Sequence, residues 1–168
     1  MASREPIEEV LDGYRTAVSA KDVDAFVALY DEDVRVFDTW GRWSYDGADE
    51  WRQMATEWFG SLGSDQVAVE LHDVGTVIGD GVAAAHALVT FRGRSPDGEE
   101  LRAIDNRLTW ALRQTREGAW RIVHEHTSVA IDIETSRHQD PFPVSESAAA
   151  QSSRAVVHAV SLVTSERR

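Results

Sequence analysis

The order of periodicities along the chain predicts an α+β protein, with helices first and a run of long strands after. Three observations carry this. Apolar residues recur at helical spacing before Gly60. After Ser64 the period becomes extended, in four segments. Each gap between those segments holds a turn sequence, so the strands should pair antiparallel in chain order.

Each element has its own reason. Ser3, Pro6, Glu8 and Glu9 form a helix start. Ile7, Val10, Leu11, Tyr14 and Val18 then make one apolar stripe that ends near Lys21. Asp22 can cap a short second helix, Val23 to Tyr30. Val34-Arg35-Val36-Phe37-Asp38 reads as a short strand, and Thr39 to Gly47 as a loop rich in Gly and Trp. A third helix is expected from about Ala48 to Phe59. The four long strands are Val67–Ile78, Val82–Arg92, Leu101–Gln114 and Trp120–Ala130. Gly79-Asp80-Gly81, Ser95-Pro96-Asp97-Gly98 and Arg116-Glu117-Gly118 supply the turns. Strands of this length predict a strongly bent sheet with bulges. Pro141 and Pro143 then break regular structure, and a Ser- and Ala-rich stretch with a weakly amphipathic run, 148–163, follows.

Composition removes several function classes. The 168 residues hold 17 basic and 29 acidic side chains, for a formal net charge of −12. A nucleic-acid partner needs a basic face, and anionic lipid needs the same, so neither is expected. Cysteine is absent, which excludes disulfides, thiolate metal sites and a Cys nucleophile. MASREPIEEV shows no apolar signal region, so the expectation is a cytoplasmic protein. Residues 1–80 hold 18 acidic and 6 basic residues, and residues 81–168 hold 11 of each. A field concentrated on the first half favours a neutral or cationic ligand.

Alternation sorts the strand side chains by face. On the last strand Trp120, Ile122, His124, His126 and Ser128 share one face, and Arg121, Val123, Glu125 and Thr127 the other. A bulge would exchange the two sets. On the strand before it, Asp105, Arg107 and Thr109 lie opposite Ile104, Asn106, Leu108, Trp110 and Leu112. His124 and His126 are spaced to share a metal, but they need a third ligand, with His86 and Asp105 the candidates. Without one they are hydrogen-bonded groups at a sheet's end, and no metal is expected. Asp105 is either a partly desolvated acid or half of a surface pair with Arg107. Asp38 is either a turn residue or a general base at a cavity mouth. Tyr14 and Tyr30 lie on apolar helix faces, and their hydroxyls need partners if buried. Trp40, Trp43, Trp51 and Trp58 crowd one loop and helix, as core or as a flat wall for a ring-shaped ligand.

Long helix, short helix, short strand, helix and four-stranded meander, closing on Trp120-Arg-Ile-Val-His-Glu-His-Thr-Ser128, resemble the nuclear-transport-factor-like superfamily. Within it the chain is most similar to SnoaL-like and ketosteroid-isomerase-like domains. The phrases Tyr14-Arg-Thr-Ala-Val-Ser-Ala-Lys-Asp22 and Phe26-Val-Ala-Leu-Tyr30 carry the same likeness. The resemblance implies a cone, an antiparallel sheet wrapped on three N-terminal helices (a cystatin-like α+β roll) with a pocket at its open end. Residues 1–133 would form that domain, and residues 134–168 an irregular arm with a marginal helix or disorder. It also implies a homodimer through the outer face of the sheet.

Ketosteroid isomerases place an oxyanion-donating Tyr on the first helix, which Tyr14 matches. They place a general-base Asp at the end of the first strand, which Asp38 matches. They place a protonated Asp after an Ile on the strand before last, which Ile104-Asp105 matches. Thr39 stands where proline often follows the base, and Arg107 beside Asp105 opposes a neutral acid. The resemblance thus implies a cofactor-free enzyme with Tyr14, Asp38 and Asp105 catalytic, acting next to a carbonyl of a small neutral, apolar, cyclic or polyketide-like molecule. Tyr30, Trp40, Trp58, His86, Arg107, His124 and His126 would line the pocket. A SnoaL-like ligand-binding or assembly domain without turnover is the alternative.

Overall fold

In a computed structural model the chain is described over residues 6–135 and 137–139. Helix α1 (Pro6–Ala20) buries Ile7, Val10, Leu11, Tyr14, Ala17 and Val18, the stripe its spacing dictates. Asp22 caps α2 (Val23–Val27) by accepting the Ala25 amide at 2.9 Å. α3 (Ala48–Ser61) follows Gly47, whose φ of 86° only glycine adopts freely, and turns Trp51, Ala55 and Phe59 inward.

The strands are β1 (Tyr30–Phe37), β2 (Tyr45–Asp46), β3 (Gln66–Ile78), β4 (Val82–Arg94), β5 (Glu100–Gln114) and β6 (Trp120–Ser128). They form one curved, open sheet in the order β2-β1-β6-β5-β4-β3. The meander β3 to β6 pairs antiparallel in chain order, as the turn sequences require. The sheet is mixed, not antiparallel throughout, because β1 runs parallel to β6. That pairing joins segments some 90 residues apart and carries no local turn signal. A small hairpin follows, β7 (Ala130–Asp132) with β8 (Arg137–Gln139), so ordered pairing continues past residue 133. The run expected at 148–163 lies outside the described residues.

The concave face of the sheet holds the core against the three helices. Ala83, Ala85, Ala87 and Val89 of β4 and Leu108, Trp110 and Leu112 of β5 alternate inward. The small alanines leave space for large rings opposite. No helix among the described residues is long and apolar enough to cross a membrane.

Candidate active site

A single extra residue decides which side chains of β6 enter the cone. Leu112 pairs with Ile122, but the next pair is Ala111 with His124. Val123 has no partner position, so it forms a bulge and the alternation is reset. Beyond it Trp110 faces Glu125, and Leu108 faces Thr127, all four buried. The inward set is therefore Trp120, Ile122, Glu125 and Thr127.

His124 and His126, expected to line the pocket, instead lie on the outer face. They pack on the half-exposed Phe37 at ring distances of 5.0 and 5.9 Å, and His124 Nδ1 lies 2.8 Å from the Arg35 carbonyl oxygen. His86 is also outside, with its ring over Gly75 of β3. Arg107 is outside as well, donating to Ser128 Oγ and to the Val129 carbonyl, each at 3.1 Å. Asp105 follows the same parity. Asn106, Leu108 and Trp110 turn inward, so Asp105 turns away and accepts from Thr90 Oγ1 at 2.6 Å. These five residues do not join Tyr14 and Asp38 inside the cone.

Aromatic rings occupy the interior. Tyr14 packs on Phe26 at 5.5 Å and on Trp110 at 5.4 Å, and Phe26 packs on Tyr30 at 5.3 Å. Trp51 closes on Tyr30, and Trp58 on Phe91, each at 5.9 Å. Tyr30 and Trp58 thus belong to the packed interior. Trp40 is half-exposed on the loop after Asp38, and Trp43 beside it is 96% exposed. Where a roomy pocket was expected, the loop side shows a notch of about 30 Å³ lined by Arg42, Tyr45, Glu50, Gln53, Met54 and Glu57.

Among these rings sits a residue that alternation along the strand had grouped with Arg121, Val123 and Thr127, away from Trp120 and Ile122. Glu125 is 2% exposed. Its Oε2 accepts from Tyr30 Oη at 2.6 Å and from Trp110 Nε1 at 2.8 Å. Burial pushes its pKa up to about 7, against the pull of those two donors and helped by the charge of Asp38. Burial also raises the Tyr14 and Tyr30 hydroxyls well above their usual value, and Glu125 adds to both shifts. The two phenols therefore stay protonated. Plain alternation put Glu125 on the face opposite Trp120 and Ile122, and only the bulge at Val123 brings it inside.

Asp38 directly follows Phe37, the last residue of β1. Thr127 Oγ1 donates to its Oδ1 at 2.7 Å, and the Thr39 amide donates to the same Thr127 oxygen at 2.8 Å. Burial raises the Asp38 pKa, while Thr127 and the amides of Thr39 and Trp40 hold it back. Its charge reaches Tyr14, Tyr45 and Glu125. The cluster therefore offers a partly desolvated base, a neutral phenol and an interior carboxyl. Among the described residues no group of three or more His, Asp or Glu side chains could hold a metal ion.

A family model for the SnoaL-like domain matches residues 7–132. The chain belongs to the SnoaL-like domain family. No curated protein sequence matches it. Solved structures of similar fold include an NTF2-like protein of unknown function from Pseudomonas putida KT2440, with a TM-score of 0.71 and 23% identity over 82% of this chain and 94% of that one. A protein with a cystatin-like fold from Caulobacter vibrioides gives 0.60 and 22%, covering 81% and 89%. A ketosteroid isomerase-like protein from Erwinia carotovora atroseptica SCRI1043 gives 0.57 and 22%, covering 73% and 92%. At these identities the likeness is one of fold, and the chemistry of this SnoaL-like domain has to be argued from its own residues.

Proposed function

We propose that this SnoaL-like domain is a cofactor-free acid–base enzyme of the ketosteroid-isomerase-like kind. It moves a proton next to a carbonyl of a neutral cyclic or polyketide-like substrate. The observation that carries this reading is Asp38, a partly desolvated carboxylate just after β1. Its raised pKa strengthens it as a base, and Thr127 fixes its orientation. In the first step the C–H bond beside the carbonyl breaks. Its proton goes to Asp38 and its electron pair moves into the enolate. Asp38 then returns the proton at the far carbon of the conjugated system. Tyr14, neutral at any working pH, supplies an O–H for the enolate oxygen. The donor role that the resemblance implied for Asp105 drops out, since Asp105 faces away.

The test is isomerisation of a β,γ-unsaturated ketone followed by absorbance. Asp38→Asn should lose roughly 10²–10⁴-fold in rate, the usual worth of a general base. Equal rates for the two proteins would overturn the reading. One observation favours the alternative of a ligand-binding or assembly module without turnover: the rings of Tyr14, Phe26, Tyr30 and Trp51 fill the cone. In that case the outer face around Phe37, His124 and His126 is the surface we would assign to pairing with a second copy of the chain.

A further inference from the structure

β3 closes one side of the sheet, and among the described residues β4 is its one strand partner. Its other edge presents a row of backbone N–H and C=O groups without a strand partner. From Gln66 to His72 the register with β4 is unbroken; the shift follows, where Asp73 takes a φ of 51°. No proline interrupts 66–72. Edges are commonly blunted by a free charge, but Glu70 spends its carboxylate on Arg92 at 2.8 Å.

A groove runs beside this edge. It measures about 490 Å³ and is lined by Arg15, Thr16, Ser19 and Ala20 of α1 and by Ala68 and Val69 of β3. Thr16, Ser19 and Ala20 are exposed. Arg15 turns onto Asp12 at 2.7 Å, and the other lining side chains are small. An edge strand, a helix and a groove between them form a seat for an added strand. The edge bonds its main chain, and alternate side chains enter the groove.

The chain itself carries a segment of matching chemistry. Residues 155–163 read Ala-Val-Val-His-Ala-Val-Ser-Leu-Val, rich in β-branched side chains and free of Gly, Pro and carboxylates. Extended, they place Val157, Ala159 and Ser161 on one face, sized for a groove walled by small side chains. Arg154 and His158 fall on the other face, the one that Glu70 occupies on β3. The tether is long enough. β7 starts two residues after β6 ends, and β8 closes at Gln139. From β6 to the place beyond β3 is four strand spacings, about 19 Å. Residues 140–154, fully extended, reach up to about 50 Å. A tethered strand also meets its edge at an effective concentration on the order of millimolar.

We propose that residues 155–163 add a strand to the open edge of the sheet, paired with Gln66–His72, with Val157, Ala159 and Ser161 in the groove against α1. The proposal does not depend on the role of Asp38.

Hydrogen exchange on the full-length protein, read by mass spectrometry, tests it. Amides of 155–163 should exchange at least about tenfold more slowly than in a free peptide of the same sequence, and those of 66–72 should be protected with them. Dilution should leave both unchanged, because the contact is within one chain. The double variant Val157→Pro/Val160→Pro removes two N–H groups of opposite parity, one of which faces β3. It should release both segments together. Ser19→Trp fills the groove from an exposed position on α1 and should do the same. Exchange of 155–163 at the free-peptide rate in the wild type would overturn the proposal. So would protection of 66–72 that survives the proline variant. Protection of 66–72 that falls on dilution would also overturn it, and would give the edge to a second copy of the chain.

Discussion

Replacing Glu125 by Gln should change how stability depends on pH more than it changes stability itself. The carboxyl titrates at about 7 in the fold, against 4.5 for a free glutamate. That gap is worth about 3 kcal/mol, at roughly 1.4 kcal/mol per pH unit. The folded protein holds this proton more tightly than the unfolded chain does. The resulting stability is complete below about pH 4.5, declines as pH rises, and is gone once pH passes about 7. Both donors, Tyr30 Oη and Trp110 Nε1, converge on one oxygen, Oε2. A Gln carboxamide oxygen in that position can accept both, so the variant keeps the hydrogen bonds and loses the titration. Urea unfolding followed by Trp fluorescence from pH 4.5 to 8.5 should show Glu125→Gln gaining about 3 kcal/mol on the wild type across that range. Asp31 and Glu70, whose pKa values are lowered, act in the opposite direction but are common to both proteins. Parallel stability curves would refute the reasoning. Glu125→Leu is the contrast: it strands the Tyr30 and Trp110 donors and should cost about 1–3 kcal/mol for each at every pH.

Other perturbations test neighbouring links. Trp110→Phe removes a donor that holds the Glu125 pKa down, so its midpoint should move above 7, read by carboxyl-carbon NMR. Thr127→Val removes the hydroxyl that steadies the Asp38 carboxylate, so Asp38 should titrate at higher pH in the same spectra. It also strands the Thr39 amide, and thermal unfolding should show a loss of about 1–3 kcal/mol. A Cβ on Gly75 would meet His86 Cε1 at 2.3 Å. Gly75→Ala should therefore turn the exposed His86 ring aside at little cost in stability, read as a shift of the His86 ring signals in NMR with thermal unfolding nearly unchanged.

Elements whose cause is local were legible in the sequence. The α1 stripe, the Asp22 cap and the three hairpin turns need only near neighbours, and each lies where its residues placed it. The parallel pairing of β1 with β6 is different, since no short-range feature marks a contact over so long a span. At the site, Tyr14 is inside as helix spacing implied, and Asp38 comes one residue after the end of its strand rather than in it. The histidines went astray for one physical reason. Alternation has a period of two, and a single unpaired Val123 reverses every face after it. Asp105 was drawn inward by the matched Ile-Asp pair, although its own strand's alternation already put Asn106 on the buried face. The packed interior was illegible because filling depends on how several rings from α1, α2, α3 and β5 meet, and no one segment encodes that.

The partnership of β1 with β6 also bears on time. Asp38 gains its Thr127 hydrogen bond across 89 residues, and Tyr30 its Glu125 bond across 95. Neither can form while the chain is being made until the last long strand has emerged. Contacts of such separation close late in folding and slow it. The intervening meander can zip hairpin by hairpin, and the base is then assembled by the step that seats β6 beside β1. Recovery of the Asp38 site after dilution from denaturant should therefore lag behind strand formation, making chemical competence a clock for the final closure of the cone.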